Sequence, residues 1–194
     1  MGFQNVVFII IIIMSDKPKL YDYQEEGVRM ELAMKRCING DDMGTGKTVQ
    51  SIVAIERAKA TPCLVICPAA LKVNWEREIK KFTNLRPLIL TDSVNATYGY
   101  HLTKMDLYDV VICNYESLAK YFVVDLGSKP LRLKNFLFRN ELKIIKSVII
   151  DESARVKDPT TRQSKIIMGI CQGKEYIYEL TGTPVVNHAT DMAC

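Results

Sequence analysis

The stretch IIDESAR, residues 149–155, decides how this chain is read. With Ser147 and Val148 ahead of it, an apolar, β-branched run stops abruptly at two adjacent carboxylates, Asp151 and Glu152. The run is too apolar for a loop and too short for a helix, so it predicts a buried strand. Two acids at a strand end repel each other and resist desolvation unless something positive faces them. The neighbouring sequence has to supply that group.

Outward from this strand, short apolar runs alternate with longer amphipathic ones. Strands are predicted at 36–39, 63–67, 88–91, 110–113, 148–151 and 176–181, and helices at 22–35, 47–60, 70–82, 115–122, 131–145 and 160–171. That order is the signature of an α/β fold, a parallel β-sheet flanked by helices. Turn formers at 91–106 and 125–130 mark surface loops. The 194 residues, 48% of them hydrophobic, can bury one sizeable core, and nothing divides 19–194. Residues 1–18 stand apart as an extension or an added strand. Their apolar run, Val6 to Met14, has nine residues where a bilayer span needs about 20, and no Lys or Arg precedes it. We expect no membrane association and a cytoplasmic location, in a bacterial or phage-infected cell.

Charge excludes little. Lys plus Arg exceed Asp plus Glu by 26 to 22, and a net charge of +4 does not by itself imply nucleic acid. The surplus is local: Lys129, Arg132, Lys134, Arg139, Lys143 and Lys146 face one acid, Glu141. This reads either as the solvated face of an amphipathic helix or as a patch facing a polyanion. The six cysteines form no Cys-x-x-Cys pair, and His101 and His188 lie far from them, which argues against zinc and for free thiols in a reducing compartment.

The positive group comes from NGDDMGTGKTVQ, 39–50. Gly44, Gly46, Lys47 and Thr48 stand where a phosphate-binding loop needs them. Glycines let backbone N–H groups turn toward phosphate oxygens, lysine brings a point charge, and the threonine hydroxyl can ligate Mg²⁺ at a helix N-terminus. The strict pattern asks for glycine where Asp41 stands. Asp42, Met43, Thr45 and these four residues form the candidate ATP-binding loop. Asp151 is then the carboxylate that holds Mg²⁺ with Thr48, and Glu152 the base that positions and deprotonates water.

KLYDYQEEGV, GDDMGTGKT, CPAALKVNWEREIKKF, VVICNYESL, IIDESARVKD and ELTGTPVVN occur in this order. From about Lys19 to Asn187 the chain thereby resembles the first RecA-like lobe of the Swi/Snf-type ATPases of helicase superfamily two, and within them the compact remodeller-like helicases of bacteria and phages. The resemblance implies a P-loop RecA-like lobe, with Lys47 and Glu152 as catalytic residues and Gln24 as the adenine-reading glutamine. It also implies backbone contacts to a DNA strand from Pro68, Leu71, Asn74 and Trp75 and from the segment holding Asn114 and Tyr115. Trp75 by itself reads more readily as a core aromatic, so the DNA contact is assigned to its segment rather than to the indole, and Tyr115 shares that ambiguity. Thr181, Gly182 and Thr183 match the motif coupling nucleotide state to DNA grip.

Two positions depart from the family pattern: Ala154 stands where histidine is usual, and Val186 where glutamine is usual. Weaker coupling of hydrolysis to DNA is the expectation. The functional reading is the ATP-binding lobe of a DNA-dependent ATPase that uses ATP and Mg²⁺ to move on double-stranded DNA through backbone contacts. It is expected to work with a second RecA-like lobe, in the full protein or in trans, because no second strand–helix series precedes Cys194, and to be weakly active alone. The alternatives are a DNA-binding scaffold whose ATPase has decayed, and a P-loop phosphotransferase acting on a small molecule.

Overall fold

The computed structural model describes residues 17–94, 97–103, 107–128, 130–156 and 158–182. The apolar run 6–14 and Thr183 and Val186 lie outside them. In chain order the main elements are α1 (Asp22–Met34), β1 (Arg36–Asn39), α2 (Lys47–Arg57), β2 (Cys63–Cys67), α3 (Lys72–Phe82), β3 (Pro87–Ile89), α4 (Tyr98–Thr103), β4 (Val110–Asn114), α5 (Leu118–Phe122), β5 (Val123–Asp125), β6 (Leu137–Phe138), β7 (Ser147–Asp151), α6 (Arg162–Cys171) and β8 (Tyr176–Leu180).

Six strands form one parallel sheet in the order β1-β8-β7-β2-β4-β3, the expected α/β arrangement. The three central strands are apolar along almost their whole length because both faces are covered. Their side chains alternate between two cores. Val65, Ile112 and Ile149 meet Val28, Ile52 and Ile79 of α1, α2 and α3 on one face, while Leu64, Ile66, Val111 and Ile150 meet Leu118, Phe122, Ile166 and Ile170 of α5 and α6 on the other. Each such aliphatic side chain, fully buried, contributes roughly 1.5–3 kcal/mol.

The expected helix at 131–145 is absent. In its place are 3-10 turns at Leu133–Asn135 and Asn140–Lys143, with β6 between them pairing antiparallel to β5. Asn135 and Asn140 are poor helix formers. The ammonium of Lys174 donates to the carbonyls of Leu142 and Ile145 at 2.6 and 2.7 Å, fixing backbone a helix would bond internally. The basic residues of this stretch therefore share no helical face. The expected loop at 91–106 instead contains α4, anchored by Tyr98, which is buried edge-on against Phe122 with ring centroids 5.9 Å apart.

The parallel register brings the strand ends into line. Asn39 pairs with Leu180, Leu180 with Asp151, Ile150 with Ile66, and Cys67 with Asn114. The loops that follow these strands lie at the C-terminal edge of an open parallel sheet, where such folds bind ligands.

Candidate nucleotide site

The phosphate loop runs from Asn39 to the start of α2. Gly44 and Gly46 have φ of +85° and +86°, left-handed values that a side chain would strain. Gly46 is doubly constrained, since a Cβ there would lie 2.3 Å from Nε2 of Gln24. The Gln24 carboxamide thus lies directly against the loop. Its oxygen accepts from the Tyr21 backbone N–H at 3.1 Å and its nitrogen donates to the Thr45 carbonyl at 3.2 Å. Lys47 turns its ammonium into the loop, donating to the carbonyls of Asp41 and Asp42 at 2.5 and 3.0 Å. Asp42 also receives the Thr45 hydroxyl at 2.9 Å, while Met43 is 75% exposed at the loop tip.

Across the sheet edge, Asp151 ends β7 half-buried. Burial raises its pKa; the adjacent Glu152 charge raises it further, while the Trp75 N–H and Lys47 oppose the shift. A carboxylate in this setting gains from a cation, and the Thr48 hydroxyl opens the helix that begins at the loop, so the donors present suit a hard divalent ion with oxygen ligands. Glu152 follows with φ +56°, a left-handed conformation costing roughly 1–2 kcal/mol in a residue with a Cβ. That conformation ends the strand and turns the chain into the Ser153–Val156 turn, where Arg155 N–H donates to the Glu152 carbonyl at 3.0 Å.

Two aromatic residues assigned to DNA-contacting segments face inward. Trp75 is 1% exposed and its indole N–H donates to the Asp151 carboxylate at 2.8 Å. Tyr115 is 3% exposed, its hydroxyl donates to the Asp151 backbone carbonyl at 2.5 Å, and the Arg155 guanidinium sits 5.8 Å from its ring centroid. Trp75 thus holds the Asp151 carboxylate and Tyr115 its backbone, contacts the sequence reading did not anticipate. Their segments still present polar and exposed groups: Asn74 is exposed, and Pro68 and Leu71 are half-buried where β2 leaves the sheet. Asn114 is buried, its Nδ2 donating to the Glu116 carboxylate at 2.7 Å and its Oδ1 accepting from the Lys72 ammonium at 3.5 Å.

Thr181 and Gly182 close the line. Thr181 N–H donates to Asn39 carbonyl at 3.1 Å, and a Cβ on Gly182 would lie 3.0 Å from the Met43 side chain, so the segment after β8 rests on the phosphate loop. Gln24, the loop residues 42–48, Asp151, Glu152, Thr181 and Gly182 are thereby brought to one edge. Ala154 is half-buried one residue beyond Ser153.

A second group of residues lies beneath the loop and escaped the sequence reading. Glu31, 2% exposed, accepts from Asn39 Nδ2 at 3.0 Å and from the Ser51 hydroxyl at 2.8 Å. The available signal was its spacing: Gln24, Val28 and Glu31 share the buried face of α1, so an acid stood on an inward helical stripe.

Among the described residues no group of three or more His, Cys, Asp or Glu could hold a metal, and no helix is long and apolar enough to cross a membrane. The described cysteines are free, and burial pushes the thiols of Cys63, Cys67 and Cys113 up to about 12.

Comparison with known proteins agrees with this geometry. The SNF2-related domain model matches residues 23–194. A Caenorhabditis elegans homologue of SWI/SNF-related matrix-associated actin-dependent regulator of chromatin subfamily A-like protein 1 is 26% identical over 90% of this chain and 23% of its own. The bovine (Bos taurus) DNA annealing helicase and endonuclease ZRANB3 is 28% identical over 91% and 15%. Human chromodomain-helicase-DNA-binding protein 7 is 32% identical over 90% and 6%. The chain therefore spans under a quarter of the length of these relatives. The Sulfolobus solfataricus SWI2/SNF2 ATPase core, solved in complex with double-stranded DNA, superimposes with a TM-score of 0.66 at 30% identity, covering 91% of this chain and 34% of that one. These relatives come from animals and an archaeon and lend no support to a bacterial or phage source. The chain belongs to the SNF2-related domain family, and its parallel sheet is the RecA-like first lobe of that family's ATPase core.

Proposed function

We propose that this lobe binds Mg·ATP and hydrolyses it to drive movement along double-stranded DNA. The observation that carries the reading is the convergence, on one sheet edge, of Gln24 packed on Gly46 with the Asp151–Glu152 pair at the end of β7.

In this reading Gln24 offers the adenine edge a donor and an acceptor. The glycine-rich turn and the N-terminus of α2 cradle the phosphates, and Lys47 exchanges loop carbonyls for phosphate oxygens. Thr48 and Asp151 would hold Mg²⁺, which when bound neutralises the phosphates and the strand-end acids. Trp75 and Tyr115 keep Asp151 oriented. Glu152 takes a proton from the attacking water. The adjoining segments at Pro68–Asn74 and Asn114–Leu118 supply backbone contacts to DNA, which carry position rather than sequence. Domain 19–194 then acts with a second RecA-like lobe whose arginines stabilise the transferred phosphoryl group, an effect worth roughly three to five orders of magnitude where it has been measured.

The test is ATP hydrolysis by the purified chain with and without duplex DNA, beside Glu152→Gln. The expected outcome is slow hydrolysis that duplex DNA raises regardless of its sequence, reduced at least about 100-fold in the variant, which still binds nucleotide. Hydrolysis that ignores both DNA and the substitution contradicts the reading.

A further inference from the structure

The buried polar residues beneath the phosphate loop form a connected path. Glu31 Oε1 accepts from Asn39 Nδ2 at 3.0 Å and from Ser51 Oγ at 2.8 Å. The other hydrogen of the Asn39 amide goes to Gln50 Oε1 at 3.0 Å, and Gln50 Nε2 points at the Thr45 carbonyl from 3.5 Å. Asn39 Oδ1 in turn accepts the Asp41 N–H at 3.2 Å. One side chain, Asn39, therefore touches both limbs of the loop: its entry at Asp41 directly, and its far side at Thr45 through Gln50. Gln50 has little room to move, because a Cβ on Gly27 of α1 would lie 2.1 Å from its Oε1.

We propose that Glu31 is a positioning residue for the phosphate loop, acting through Asn39 and Gln50, and that its proton occupancy sets how firmly the loop is held for nucleotide. This rests on the reading of the loop as a nucleotide site. Oε1 accepts from two neutral donors and Oε2 is buried with no partner among the described residues, so Oε2 is unmatched in either form and the penalty is greater for a charge than for a neutral hydroxyl. Ionisation leaves charge on an oxygen without a donor, which a buried site resists strongly.

The titratable groups facing Glu31 do nothing to neutralise such a charge. They are Asp41 on the loop, the Cys37 thiol on β1 and Tyr178 on β8, whose hydroxyl donates to the Glu31 backbone carbonyl at 3.2 Å; α2 presents the neutral Ser51 and Gln50. Burial, with a smaller contribution from Asp41, accordingly lifts the Glu31 pKa to about 7 against the pull of Asn39 and Ser51. Once ionised, the carboxylate pulls the Asn39 amide, already its donor, toward itself and away from Gln50, which weakens the Asn39–Gln50 bond and loosens the tie to Thr45. The sign follows: the loop is held best below the Glu31 pKa and loosens as pH rises through it. By linkage, nucleotide binding takes up a proton at Glu31.

The experiment measures the affinity of the full chain for Mg·ADP by calorimetry from about pH 6 to about pH 8, beside Glu31→Gln. The amide is neutral at every pH, so the nucleotide's own titration cancels in the comparison. The native chain should lose roughly three- to tenfold more affinity across this range than Glu31→Gln does. Equal slopes for the two proteins overturn the proposal while leaving the nucleotide site standing; no binding by either at any pH overturns the site and the proposal together. If Glu31→Gln does not fold, a ¹³C-edited titration of the native glutamates decides instead. A buried glutamate titrating near neutrality and shifting upward with Mg·ADP supports the proposal, and one unmoved by nucleotide overturns it.

Discussion

The carboxylate of Asp151 and its own backbone carbonyl are held by two buried aromatic donors, Trp75 from α3 and Tyr115 from the end of β4. Outer partners of this kind fix the direction of a metal ligand, and their loss typically costs about 10- to 100-fold in metal affinity. Trp75→Phe keeps the buried ring and removes the N–H, so we predict a Mg²⁺ requirement for nucleotide binding raised by about that factor, read by titrating Mg²⁺ at fixed nucleotide. An unchanged requirement contradicts the role assigned to the indole. At this scale the sequence was informative where structure is local: GTGKT marks the glycine turn that opens α2, and the Asp151–Glu152 pair marks the end of β7. Trp75 was not legible in this way, because its partner lies 76 positions away and only the β2–β7 adjacency brings them together. Glu31 was overlooked for a related reason, since Asn39 and Ser51 become its partners only once α1 packs against α2 and β1.

Among the elements, β2, β4 and β7 were readable because strands buried on both faces are apolar throughout, with little room for another interpretation. The segment 131–145 was misread because its leucines and isoleucines are numerous enough to suggest a helical face, whereas the buried positions, Phe136, Leu142 and Ile145, follow no helical period. Tertiary contacts from Lys174 and β5 decided its shape. Helix α2 links core and site: it begins at Lys47 and Thr48, and Ile52, 1% exposed, packs its far side against the sheet. Ile52→Ala should cost about 2–5 kcal/mol of stability in chemical denaturation. A loss under about 1 kcal/mol would show that α2 is not anchored by this face.

Over the whole molecule, the parallel register sets Asn39, Leu180, Asp151, Cys67 and Asn114 in line, so that the described segments following β1, β2, β4, β7 and β8 emerge at the same sheet edge. The order of the motifs along the chain was visible in advance, and their convergence followed from the α/β pattern. What the pattern did not contain was the partner of two inward-facing rings, Asp151, through which the segments around Trp75 and Tyr115 are tied to the end of β7. In the proposed function this edge is a nucleotide site with Lys47 at its centre. Its most direct test is calorimetric titration of the full chain with Mg·ATP beside Lys47→Ala. Stoichiometric binding that depends on Mg²⁺ and is lost in the variant is the expected result; no binding by the native chain, or equal binding by both proteins, would rule out a nucleotide site built around Lys47.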